Sequence, residues 1–350
     1  MIPVFDGHND FLQRLVAVPP ESRAALWRTG DGTGHLDLAR MKAGGVAGGF
    51  FAIWVPILDG GFDLHDFARL SEPPFRIPPA PPITPEAALP HAFAQSAALL
   101  ALARTGTLDL CLTAADLRRS IAAGRIAAVM HMEGAEAIAD LDALHLWHAA
   151  GLRSLGPVWS RPTRYGHGVP FAFPCSPNTG DGLTAAGRDL VRECNALGIM
   201  IDLSHLNAKG SYDVARLSDA PLVASHSCAH AVSPSSRNLT DRQLGLIRDS
   251  GGLVGLNFAA NFLRPDGRRE PFAGFEPILR HLDHLLERLG EGGVALGSDF
   301  DGATMPTDLA DAAALPRLME AMRAHGYDDE LIERIAWRNW VEVLERTWGA

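Results

Sequence analysis

Eight short apolar runs recur along the chain, each ending in polar residues or glycine: IPVF (2–5), GGFFAIWV (48–55), IAAVMHM (126–132), LRSLGPVW (152–159), GIMIDLS (198–204), PLVAS (221–225), GLVGLNF (252–258) and GVALGS (293–298). Runs this continuous read as strands buried on both faces, because half-exposed strands alternate apolar with polar positions. Between them lie stretches with helical periodicity, among them PEAALPHAFAQSAALLALART (85–105), TAAGRDLVRECNALG (184–198), TDRQLGLIRDSG (240–251) and FEPILRHLDHLLERLG (275–290). Several of these end at glycine just before the next strand, as helix C-caps often do. The alternation predicts a parallel sheet covered by helices, and eight units predict closure into a (β/α)8 TIM barrel of the α/β class. An open doubly wound sheet would carry a glycine-rich phosphate loop after its first strand, and none is present. The Pro-rich stretch SEPPFRIPPAPPITPE (71–86) is expected as a surface insertion, and residues 328–348 as C-terminal helices packed on the barrel. The expected organisation is a single barrel domain over 1–350.

Composition narrows the function. An apolar share of 47% with 21% charged residues suits a globular chain with a sizeable core. A net charge of −10 argues against a nucleic-acid partner. No run of about 18 apolar residues predicts a membrane span. The four cysteines, at 111, 175, 194 and 228, form no CxxC pair and suit reduced thiols. Candidate chemistry begins at His8, leaving no room for a signal sequence before it. A cytoplasmic protein without membrane or nucleic-acid partners is expected.

In a (β/α)8 barrel the chemistry collects at the C-terminal ends of the strands. Here those ends read GHND, VP, MEG, WSRP, SHL, SHS, NF and SDFDG. Residues two apart in extended backbone face the same way, so His8 and Asp10 can reach one ion together. Glu133 closes the third run, where a carboxylate is costly unless paired or bound to metal. His131 shares its face two residues earlier. His205 and His226 end two consecutive runs, each after a serine. A lone histidine of this kind is more often a satisfied core residue. Two in register, with HxD and a glutamate on earlier strands, point to divalent ions such as Zn2+. Five ligands exceed the four usual for one zinc, which suggests two ions sharing a bridge. Neither Lys42 nor Lys209 sits at a strand end, so Glu133 is the bridging candidate. Asp299, on the last strand, is the candidate proton carrier, with Asp6 and Asp301 as competitors.

The motifs FDGHND, HMEGAEAI, IDLSHLN, SHSCAHAV, RNLTDRQL and GSDFDG, in this order and spacing, resemble the membrane dipeptidase (renal dipeptidase) family, peptidase family M19, of the amidohydrolase superfamily in its bacterial form. The resemblance implies a binuclear zinc barrel. His8, Asp10 and Glu133 would hold one ion, and Glu133, His205 and His226 the other. A hydroxide between them would attack the scissile carbonyl, with Asp299 shuttling the proton and contacting the substrate's amine. Arg237, beside Asn238, matches the arginine that grips the substrate carboxylate through two parallel hydrogen bonds. One departure concerns the position after the fourth strand, where the family's substrate-contacting histidine is replaced by Trp159. An indole N–H can donate one hydrogen bond but carries no charge, and His167 in the nearby loop is a candidate substitute. Phe262 stands where some relatives have a tyrosine. The implied activity is hydrolysis of small L-Xaa-L/D-Xaa dipeptides. The alternatives are another small amide or ester, such as an N-acyl amino acid or lactone, and a catalytically silent barrel. Exposed outer helices would allow a homodimer.

Overall fold

The structure, a computed structural model, describes residues 1–58 and 72–349. The eight apolar runs all return as strands: β1 (Val4–Asn9), β2 (Val46–Trp54), β3 (Ile126–Glu133), β4 (Leu152–Gly156), β5 (Met200–Ile201), β6 (Val223–Ser227), β7 (Leu253–Leu256) and β8 (Val294–Leu296). Parallel ladders join β1 through β5 in chain order and, separately, β6 through β8. Single parallel bridges, Asp202 to Val223 and Asn9 to Phe300, join the two arcs into a closed (β/α)8 barrel. β1 does not stop at Phe5, as the apolar pattern alone suggests. It runs on through Asn9 and places His8 inside the strand. Three short strands carry too little pattern to be read from sequence. Leu108–Leu110 lies beside the start of β3. Phe75–Ile77 pairs antiparallel with Phe171–Phe173. That pairing docks the Pro-rich stretch, burying Phe75 and Ile77 and leaving Arg76 in solvent; Ser71, at its start, lies outside the described residues.

Each seam between the arcs is closed by one bridge and stitched by a buried aspartate. At the first seam, the Asp202 carboxylate accepts from Ser204 N (3.0 Å), Ser225 N (2.7 Å) and the Ser225 hydroxyl (2.5 Å). At the second, Asp6 accepts from Ser298 N (2.7 Å) and its hydroxyl (2.8 Å). Charge-to-backbone bonds of this kind are stronger than neutral ones and replace the missing ladder.

The helices pack outside the strands. Thr84, Thr184 and Thr240 cap three of them by accepting from the backbone N–H three residues on. The barrel interior is filled from below. The C-terminal segment, a π-turn at Arg334–Arg338 followed by a helix at Asn339–Trp348, inserts Trp340 against Phe5 and Phe50. Its indole N–H donates to Leu296 O at 2.9 Å. A Cβ at Gly7 would overlap that ring and come within 2.5 Å of Ser225 O, so β1 needs glycine there. The four cysteines are unpaired.

Trp340 is fully buried, so Trp340→Ala is expected to cost about 3–5 kcal/mol of stability. Urea unfolding of the two proteins measures this, and a loss under about 1 kcal/mol would mean that the plug is dispensable.

Candidate metal centre

At the C-terminal mouth, six side chains from five strand ends converge. Glu133 Oε1 lies 3.0 Å from His205 Nε2, 3.3 Å from His226 Nε2 and 3.7 Å from His8 Nε2. The Nε2 atoms of His205 and His226 are 3.2 Å apart, and the rings of His8 and His226 stack at 3.8 Å. Asp10 Oδ2 sits 3.5 Å from His8 Nε2. Two sets, His8–Glu133–His226 and His8–Asp10–Asp299, place one ligand atom per residue within 4.8 Å of each other. Gly134, at φ +88°, turns the chain immediately after Glu133. His205 and Asp299 adopt φ +65° and +62° without being glycine. Such backbone costs of order 1 kcal/mol or more per residue and persists where surroundings over-determine it.

A surrounding layer fixes the rings. Ser160 Oγ lies 2.8 Å from His205 Nδ1, and Ser225 Oγ 2.8 Å from His226 Nδ1. His131 belongs to this layer: its Nδ1 is 2.8 Å from Ser154 Oγ and its Nε2 3.5 Å from the Asp202 carboxylate. The sequence reading passed over Asp202, Ser160 and Ser154. The serines before His205 and His226 were the available signal. Asp299 is oriented by Asn257, whose Nδ2 donates to Oδ2 at 2.8 Å. The two competitors for its role are occupied elsewhere, Asp6 at the seam and Asp301 with His35 N (2.6 Å) and Arg14.

The cluster sets three carboxylates beside three buried imidazoles. Burial pushes the Glu133 carboxyl well above its ordinary value and Asp299 up to about 6. Burial, reinforced by the charges of Arg237 and His8, drives His205 and His226 well below the imidazole range, leaving their lone pairs free. His8 moves the other way: burial opposes its charge, but Glu133, Asp10 and Asp299 outweigh that and raise it to about 10. Yet His8 is wholly buried, and neither of its ring nitrogens makes a hydrogen bond. Neutral imidazoles aimed at one carboxylate oxygen, beside an orphaned third, fit a divalent cation better than any arrangement of protons.

Above the cluster opens a cleft of about 200 Å3. Its lining includes the aromatic rings of Trp54, Trp159, Phe171 and Phe262 and the polar side chains of Gln13, Asn261 and Arg269. Trp159 stands 5.7 Å from the His205 ring. Arg237 is buried behind Phe262, 5.3 Å from that ring; it donates to His226 O at 3.2 Å, while its Nε has no partner. Asn238 spends its amide on Ser233 O and Phe262 O, which makes it a brace for this lining. His167 is not brought to the cluster: it lines a separate surface cavity with Arg76 and Thr179. Trp54, Gln13 and Arg269 were not singled out from sequence, because a tryptophan inside an apolar run reads as core.

A closed (β/α)8 barrel with imidazoles and carboxylates gathered at its C-terminal mouth defines a metal-dependent hydrolase. The chain belongs to the membrane dipeptidase family (peptidase family M19), whose model matches residues 1–348. It is 62% identical to a metallo peptidase from Rhodobacter sphaeroides solved with a phosphinate mimic of the dipeptide L-Ala-D-Ala; the match covers 99% of both chains, with a TM-score of 0.97. It is 51% identical over 244 residues to an uncharacterized protein in the pqqA 5′ region of Klebsiella pneumoniae, covering 69% of this chain and 90% of that one. The dipeptidase tcpJ of Claviceps purpurea is 28% identical over 346 residues, 97% of this chain and 76% of that protein. No helix among the described residues is long and apolar enough to cross a membrane.

Chelation of divalent ions is expected to lower the melting temperature reversibly. Ions at 100-fold over their dissociation constant add about 2.7 kcal/mol per site, a shift of several degrees that differential scanning fluorimetry resolves. An identical melt before and after verified metal removal would refute metal binding at this cluster.

Proposed function

We propose that the protein is a zinc dipeptidase that holds two divalent ions and hydrolyses small L-Xaa-L/D-Xaa dipeptides. The observation carrying this reading is the convergence of His8, His205 and His226 on one oxygen of Glu133, with Asp10 and Asp299 beside them, in a cleft of dipeptide scale. In this reading His8, Asp10 and Glu133 hold one ion, and Glu133, His205 and His226 the other. The ions, when bound, supply Lewis acidity and a water acidic enough to attack a carbonyl near neutral pH.

The chain's own residues do the rest. Asp299 takes a proton from the attacking water and delivers it to the departing amine, which is the work of a carboxyl poised near neutrality in a buried site. Asn257 keeps its second oxygen turned away from that task. Arg237 receives the substrate's carboxylate: its charge is buried, its Nε lacks a partner, and its guanidinium packs on Phe262, which lines the cleft. Trp159 and Phe171 cover the substrate's apolar side and exclude water.

Asp299→Asn is expected to keep its metal and lose about 10²–10⁴-fold in kcat, the range of a general acid–base group. Elemental analysis and a dipeptide assay measure the two sides. Wild-type turnover in a metal-loaded variant would remove Asp299 from the chemistry. Arg237→Ala is expected to reduce kcat/KM for a free dipeptide by about 10²-fold or more, the scale of an unpaired buried charge partner, and to leave the C-terminally amidated dipeptide unchanged. Equal losses on both substrates would mean that Arg237 holds structure and not the carboxylate.

A further inference from the structure

We propose that Trp54 is a catalytic residue, its indole N–H donating to the scissile carbonyl oxygen as that oxygen gains negative charge; this rests on the dipeptidase reading above. Trp54 ends β2 and stands in register with Glu133 at the end of β3, so the two side chains leave neighbouring strands on the same face. Both line the cleft. The residue is held from several sides. Gln95, itself buried, accepts from Trp54 N at 3.1 Å and donates to Trp54 O at 2.7 Å. The indole meets Trp159 edge to face at 5.3 Å, and the buried Arg161 guanidinium lies 5.8 Å from its centre.

For all this fixation, Trp54 Nε1 is buried and has no hydrogen-bond acceptor. Native structures pair nearly all such groups, and an orphan among well-packed neighbours calls for a partner that arrives with a ligand. Two nearby amide donors already serve carboxylates. Asn257 Nδ2 serves Asp299, and Gln13 Nε2 serves Asp10 at 2.7 Å. Asp10, Glu133 and Asp299, when ionised, can only accept. A substrate oriented with its free amine towards Asp299 and its carboxylate towards Arg237 presents its carbonyl between them, over Glu133, where Trp54 is the neighbouring strand's contribution. An N–H gains little from a neutral carbonyl and much more from an alkoxide, so the bond favours the tetrahedral state over the bound substrate. Arg161, set over the faces of both indoles, draws electron density from the rings and sharpens the donor.

The test is Trp54→Phe, which keeps an aromatic ring and removes only the donor, studied on metal-loaded protein with the dipeptide that wild type cleaves fastest. Expected is a fall in kcat of about 10²-fold, the scale of one lost oxyanion donor, with KM changed less than threefold. The inhibition constant of a phosphinate dipeptide mimic should rise by a similar factor, since its tetrahedral oxygen stands in for the developing oxyanion. In wild type, one indole 1H–15N resonance should move downfield when the phosphinate binds, and that resonance should be missing from the Trp54→Phe spectrum. A variant with kcat within twofold of wild type, or a phosphinate complex in which no indole resonance moves, overturns the assignment. So does a spectrum in which the moving resonance disappears in Trp159→Phe instead. Should Trp54→Phe fail to fold, the Trp159→Phe spectrum decides: the moving resonance is kept there if Trp54 is the donor, and its loss overturns the assignment. A wild type that cleaves no dipeptide sinks the functional reading and this inference together, whereas an active wild type matched by Trp54→Phe sinks only the inference.

Discussion

The structure is organised around the difficulty of burying Asp10, Glu133 and Asp299 together. Like charges this close cannot all ionise in a low-dielectric site without a cation among them. The protein supplies positive charge at His8 and at the buried Arg237, and drives the other two imidazoles towards neutrality. A divalent cation among these carboxylates would remove that conflict. The clustered side chains come from five different strand ends: each backbone position is fixed independently by the barrel, so no single segment has to bear the repulsion.

The barrel meets this demand by separating its two ends. The lower half is apolar and plugged by Trp340, and it fixes strand positions through packing. The upper half is polar and held by hydrogen bonds. Asp202 and Asp6 stitch the two seams where the ladder thins to one bridge, and each also serves the layer around the cluster, Asp202 through Ser225 to His226 and Asp6 through His8 N at 3.3 Å. Closure of the barrel and orientation of the imidazoles are therefore one network. A loosened seam would misplace a ring, and an unfilled cluster would strain a seam.

Much of this was legible in the sequence because it is periodic or because it is chemically conspicuous. Buried parallel strands announce themselves as unbroken apolar runs, and all eight returned as strands, with only their ends moving by a few residues. Histidines and carboxylates at strand ends stand out for the same reason: nothing apolar explains them. What escaped notice lacks such a signature. Phe75–Ile77 and Phe171–Phe173 are three residues each and exist only by pairing across nearly a hundred positions. Asp202 looks like one more polar residue at a strand end until its seam is seen. Trp54 was hidden by its own hydrophobicity within β2, and His167, which the sequence brought forward by proximity in the chain, faces another cavity.

The aromatic lining of the cleft shows where barrels with this cluster can diverge. Arg161 and Glu136 form a wholly buried ion pair at 3.0 Å, and Arg161 also reaches the carbonyls of Val55 and Pro56. Desolvating such a pair costs about as much as its attraction returns, so stability alone does not account for it. Its geometric effect is specific: the guanidinium lies 4.9 Å from the Trp159 ring centre and 5.8 Å from that of Trp54, and it ties the segment after β2 to the loop after β4. Those two segments carry the indoles that face the cluster. A charge in this place therefore holds two large rings in one relative position, where apolar packing would let them shift between rotamers. The clustered imidazoles and carboxylates depend on the strands. The aromatic lining of the cleft depends on this buried pair, and so it can change from one barrel to the next without disturbing the cluster beneath it.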